Sequence, residues 1–140
     1  MPVEVDIAYL IMPFVAWLVA GCTKFAVNSI QAKQLAFGLI GYGGFPSNHS
    51  AIVSSMAALI AFKEGIDNPA FGVALALAFI VLLDANSLRR QIGKQAEAIN
   101  RLQQGTESTP LRERIGHTKV ELLGGIVVGV LTAYIVHLSV

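Results

Sequence analysis

The sequence predicts an all-α fold: a small transmembrane helical bundle of about four spans plus an amphipathic interfacial helix. Three observations carry this prediction. The 140 residues are 54% hydrophobic and 14% charged, whereas an ordinary soluble domain carries about 25% charge. Mean hydropathy is correspondingly high, at +0.63. Four apolar segments lack the polar stripe of a soluble helix, and each has the length of a short span. Ala, Leu and Gly dominate those segments, and an open sheet cannot cross a bilayer because its edges would go unsatisfied. Disordered, collagen-like and disulfide-rich classes are excluded by the same composition. A formal net charge of +1 gives no reason to expect a nucleic-acid partner. Cys22 is the single cysteine, so neither an intrachain disulfide nor a zinc site can be built on it. The reading is one membrane domain over 1–140.

The first span is predicted at about 7–23. Pro13 lies inside it as a tolerated membrane kink. The stretch Val19-Ala20-Gly21-Cys22 has the look of a lipoprotein processing site, but Glu4 and Asp6 stand where a secretory signal needs basic residues. The segment therefore reads as a retained helix. The second span is predicted at about 47–63, and its shortness, with Ser54 and Ser55, points to a helix packed inside the bundle. The third and fourth spans fall at about 70–86 and 120–138, joined by a polar connecting segment over about 87–117. Within that segment Leu88, Ile92, Ala96, Ile99 and Leu102 share one helical face and Arg, Lys and Gln fill the other, the pattern of an amphipathic helix that continues from the third span or lies at the interface. Gln103 to Pro110 reads as a polar loop. Gly38, Gly41, Gly43 and Gly44 punctuate the approach to the second span, but no strand precedes them, so they are not a dinucleotide fingerprint.

If the four spans alternate, segments 24–49 and 84–121 share one membrane face. That face holds Lys24, Lys33, Arg89, Arg90, Lys94, Arg101, Arg112, Arg114 and Lys119, nine of the ten basic residues. The positive-inside rule then puts this face in the cytoplasm and both termini outside, in an inner (cytoplasmic) membrane.

Three elements on that face can carry chemistry. Gly43-Gly44-Phe45-Pro46-Ser47-Asn48-His49-Ser50 opens an apolar helix, and the free N–H groups of a helix start form an anion site, with His49 beside it. His117 and Glu121 are four residues apart, hence on one helical face. A carboxylate there can accept the ring N–H, fix the tautomer and make the other nitrogen a better nucleophile. Arg89 and Arg90, near Asp84, can clamp a phosphoryl group because the guanidinium fork fits its oxygens. Two histidines, one with a carboxylate, plus arginines and a helix N-terminus suit phosphoryl transfer through a phosphohistidine. No His or Cys cluster offers a metal site, and no cofactor is implied.

The motifs carry a resemblance. Pro46-Ser47-Asn48-His49-Ser50 resembles the Pro-Ser-Gly-His motif of the type-2 phosphatidic acid phosphatase and vanadium haloperoxidase superfamily. His117-Thr118-Lys119-Val120-Glu121 resembles its His-x-x-x-Asp end. With the block Asp84-Ala85-Asn86-Ser87-Leu88-Arg89-Arg90 between them, the chain is similar to the small divergent bacterial branch of that superfamily, from about Lys24 to Val130. The resemblance implies that His117 is the nucleophile, Glu121 its orienting acid and His49 the general acid. It implies phosphate binding by Ser47, the backbone around Asn48, Arg89 or Arg90, and Lys24. The departures are that Asn48 replaces Gly, Glu121 replaces Asp, a long insertion separates Arg90 from His117, and Gln31 stands where an arginine would follow Lys24.

The function expected is therefore a metal-independent membrane phosphatase acting on a lipid phosphate monoester or pyrophosphate. Phosphatidic acid, phosphatidylglycerol phosphate and polyprenyl (pyro)phosphates all stay open as substrates. The competing class is a non-enzymatic transporter or lipid-binding protein on the same scaffold. Four short helices bury little surface, which leaves a homodimer open.

Overall fold

A computed structural model describes residues 6–35, 37, 44–105 and 108–139. Glu4, Gly38, Gly41 and Gly43 lie outside the described residues, as do positions 106 and 107 of the polar loop. Five α-helices follow one another: α1 (Ile7–Ala32), α2 (Asn48–Glu64), α3 (Pro69–Leu83), α4 (Arg89–Leu102) and α5 (Lys119–Ser139). Among the described residues there is no strand. A five-residue π turn, Asp84–Leu88, joins α3 to α4.

Each start has a local cause. The Asp6 carboxylate accepts from the Ala8 N–H at 2.9 Å and opens α1. Ser47 caps α2, and Asn68 caps α3 with Pro69 in its first turn. α1 ends where Lys33 turns left-handed.

Among the described residues three helices are long and apolar enough to cross a membrane: Ile7–Ala32, the continuous Pro69–Leu102, and Lys119–Ser139. One helix end differs from the sequence reading. α1 runs nine residues past position 23, to Ala32, because Thr23, Lys24, Asn28 and Gln31 interrupt the apolar run without breaking the helix. The third helix passes through the π turn into the amphipathic helix, which is the first of the two arrangements the sequence left open.

α2, at 17 residues, is the expected internal helix, and α1, α3 and α5 all pack against it. The packing is that of a membrane bundle, with small residues inside and large ones outside. Ala8, Met12, Ala16, Leu59 and Ala133 form one buried cluster, and Ala57, Ile60 and Ala74 another. Phe14, Trp17, Leu77, Phe79 and Leu131 point outward.

The tightest seam joins α2 to α5. A Cβ on Gly125 would stand 2.3 Å from the Ser47 carbonyl oxygen, and one on Gly129 2.4 Å from that of Ala51. Only glycine permits this approach. Ser47 N–H also donates to the Glu121 carbonyl at 2.9 Å. The first turns of α2 and α5 are thus held backbone to backbone, which brings residue 49 near residue 117. At the other end of the bundle Lys63 pairs with Asp6 at 2.5 Å and Tyr9 donates to Glu64 at 2.8 Å.

Candidate active site

The site is assembled from four pieces of chain. His49 sits in the first turn of α2, Arg89 follows the π turn, and His117 precedes α5. Lys24 sits on α1, half-buried and close enough for its charge to act on His117. The rings of His49 and His117 stand 5.8 Å apart, centroid to centroid.

His117 is buried, and its Nδ1 lies 3.2 Å from Glu121 Oε2. An ionised carboxylate only accepts, so Nδ1 carries the proton and Nε2 keeps its lone pair. Glu121 is itself fixed. Its Oε2 also accepts from the Thr118 N–H at 2.9 Å, while its own N–H donates to Thr118 Oγ1 at 3.2 Å. This is a capping box, with Thr118 as N-cap and Glu121 three residues on. Thr118 is not among the site residues expected from the sequence, although Thr-x-x-Glu directly before an apolar run is the signature of such a cap. The backbone also anchors the nucleophile candidate, since His117 N–H donates to the Ala85 carbonyl of the π turn at 3.0 Å.

Arg89 Nη2 lies 3.2 Å from His49 Nε2, and Arg89 Nε lies 3.4 Å from Asp84 Oδ2. Guanidinium only donates, so Nε2 of His49 is the acceptor and the ring is neutral in this arrangement. Arg90 goes elsewhere. It is exposed, packs on Gly116 and borders a separate groove with Asn86, Ser87 and Lys94. Of the two arginines, the structure brings Arg89 to the histidines.

Ser47 is fully buried, and its hydroxyl accepts from the Ser50 N–H at 3.4 Å. Asn48 and His49 start α2, where helix N–H groups lack intrahelical partners. Asn48 Oδ1 and His49 Nδ1 are buried without a hydrogen-bond partner among the described residues. A cavity of about 600 Å³ borders Glu121, lined also by Asn28, Gln31, Arg112, Glu113 and Arg114, among others. Asn28 and Gln31 were not read as site residues. Their spacing from Lys24, four and seven residues, is the one signal that would have placed them on the same face of α1. Among the described residues no group of three or more His, Cys, Asp or Glu is placed to hold a metal ion.

Burial pushes the pKa of His117 below its ordinary value of 6.5; the Glu121 carboxylate opposes this, and the charges of Lys24 and Arg89 add to it. His117 is thus neutral at neutral pH. The unfolded chain, with the higher pKa, takes up the proton first as pH falls. Stability contributed by neutral His117 is therefore complete above about pH 6.5 and is lost on acidification towards the folded pKa. NMR titration of ring-labelled histidines should give His117 a midpoint below 6.5. Glu121→Gln should move that midpoint further down, and an upward movement would contradict the assigned balance.

The family model described as "Divergent PAP2 family" matches residues 5–132. The chain is 29% identical to a Bacillus subtilis (strain 168) protein described as "Uncharacterized membrane protein YuiD", over 87% of this chain and 89% of that protein. No solved structure matches with significance.

Proposed function

The chain belongs to the divergent PAP2 family, and on that premise we propose that it is a membrane phosphatase hydrolysing a lipid phosphate monoester or pyrophosphate through a phosphohistidine. The observation that carries the reading is the pairing of His49 and His117, 5.8 Å apart, with Arg89 on the first and Glu121 on the second.

The chemistry follows from the donors. A phosphate dianion between the rings draws Arg89 and the N–H groups at the start of α2 to its oxygens, with Lys24 adding positive charge. Its charge also favours the protonated form of His49. The Nε2 lone pair of His117 attacks phosphorus, the N–P bond forms and the P–O bond to the lipid breaks. His49 gives its proton to the departing oxygen. Glu121 stabilises the positive charge that develops on the His117 ring. Water then attacks phosphorus, His49 takes a proton from it, the N–P bond breaks and inorganic phosphate leaves. A lipid substrate suits a site at one end of apolar helices, because its tails stay in the bilayer.

The test is phosphate release from a panel of lipid phosphates by the purified protein in detergent, with EDTA present. Turnover of at least one lipid supports the reading. No release from phosphatidic acid, phosphatidylglycerol phosphate or polyprenyl phosphates would leave the non-enzymatic class in its place.

The site end of the bundle is assigned to the cytoplasm, because nine of the ten basic residues lie in the segments at that end. With Cys22 removed, a cysteine at Ser108 should resist an impermeant thiol reagent in intact cells, while one at Asp67 reacts. The reverse pattern would make this an outward-facing site.

A further inference from the structure

Residues 108–118 have no regular secondary structure, yet they carry Arg112, Glu113 and Arg114 of the cavity wall and end in His117. Their position comes from α4. Asn100 Nδ2 donates to the Leu111 carbonyl at 2.7 Å and to Glu113 Oε1 at 2.9 Å, and Asn100 Oδ1 accepts from the Leu111 N–H at 2.7 Å. One side-chain amide therefore engages both polar groups of a single peptide residue, as a neighbouring β-strand would. Seven residues earlier Gly93 lies under the same segment, where a Cβ would stand 2.3 Å from the Glu113 carbonyl oxygen. The π turn then binds the His117 N–H through Ala85.

Ala85, Arg89, Gly93, Ala96 and Asn100 follow one another at three- and four-residue steps, so they share one face of the α4 rod. Ala85, Gly93 and Ala96 are buried, whereas Leu88, Ile92, Ile99 and Leu102 are exposed on the rest of the helix. The same face supplies Arg89 to His49. α4 is thus a template for both halves of the site.

We infer that Asn100 is a positioning residue, a latch that fixes the segment 108–118 on α4 and so sets the cavity wall beside Glu121. The kinetic part of this inference rests on the phosphatase reading; the structural part does not. His117 has its own anchors in Ala85 and Glu121, so release of the latch should disturb substrate binding more than the chemical step.

The experiment uses the full chain in detergent. Trypsin cleavage after Arg112 and Arg114 is followed by mass spectrometry, and kcat and KM are measured on the best lipid phosphate. Asn100→Asp keeps an acceptor for the Leu111 N–H but sets a carboxylate against the Leu111 carbonyl and Glu113. Cleavage should rise about tenfold to a hundredfold, the scale of losing the two hydrogen bonds that the amide N–H₂ donates. KM should rise by about threefold to tenfold with kcat within about twofold. Adding Glu113→Gln restores a donor facing position 100 and should recover part of both effects. Unchanged cleavage and KM in Asn100→Asp would overturn the inference. So would a parallel loss of kcat, KM and melting temperature that Glu113→Gln does not repair, since that marks a purely structural residue. If the unaltered protein releases no phosphate from any lipid, the phosphatase reading fails, and the cleavage rates still decide whether Asn100 is the latch.

Discussion

Replacing His117 by Ala is expected to reduce phosphate release to the background level, a fall of about 10⁴-fold or more, the scale seen when a covalent nucleophile is removed. The expectation rests on geometry: the ring is buried, its Nδ1 is held 3.2 Å from Glu121, and its backbone is tied to the π turn. No rotation of a neighbour replaces a ring held in this way. Quenching the unaltered protein during turnover in alkaline denaturant, where the N–P bond survives, should trap phosphate on a histidine, and His117→Ala should trap none. Full turnover in that variant would reject the mechanism and favour a binding or transport role. Retained turnover with a phosphohistidine at position 49 would exchange the two roles.

Replacing His49 by Ala has the second-largest expected effect, and it depends on the leaving group. An alkyl or lipid oxygen leaves poorly without a proton, so those substrates should slow by about 10²–10⁴-fold. An aryl phosphate with an acidic phenol needs no such help and should lose less than about tenfold. Arg89 lies 3.2 Å from His49, so Arg89→Lys serves as the control. It keeps a cation but not the fork, and it should weaken binding of both substrates alike. Equal losses for aryl and alkyl substrates in His49→Ala would remove the general-acid assignment.

Much of this site was legible in the sequence because its signals are local. The His117/Glu121 pair is visible from a four-residue spacing, and His49 from a capped helix start. Alternation of apolar segments was enough to place both at one end of the bundle. Position 89 could not be separated from 90 on that basis. The two point about 100° apart on a helix, and the direction of α4 is set by the π turn, which leaves no periodic mark. The 108–118 segment was equally hidden, because an extended strap has no periodicity and its docking partners, Gly93 and Asn100, lie across a loop. The extent of α1 was misread for another reason. Lys24, Asn28 and Gln31 look like the end of an apolar run, but the helix continues through them, with Lys24 and Asn28 half-buried and Asn28 and Gln31 on the cavity wall.

The capping box at the start of α5 has a bearing on how this position can vary over generations. Glu121 holds the helix start through Thr118 and steadies the ring of His117 with the same oxygen. A Glu is long enough to reach back to the N-cap, which is the reach the box requires. Glu121 thus joins two traits in one side chain. Drift that relaxes the helix start also shifts the imidazole, and selection on either trait acts on both. Thr118 is the point where they come apart, since Thr118→Ala removes one arm of the cap while leaving the carboxylate beside the ring.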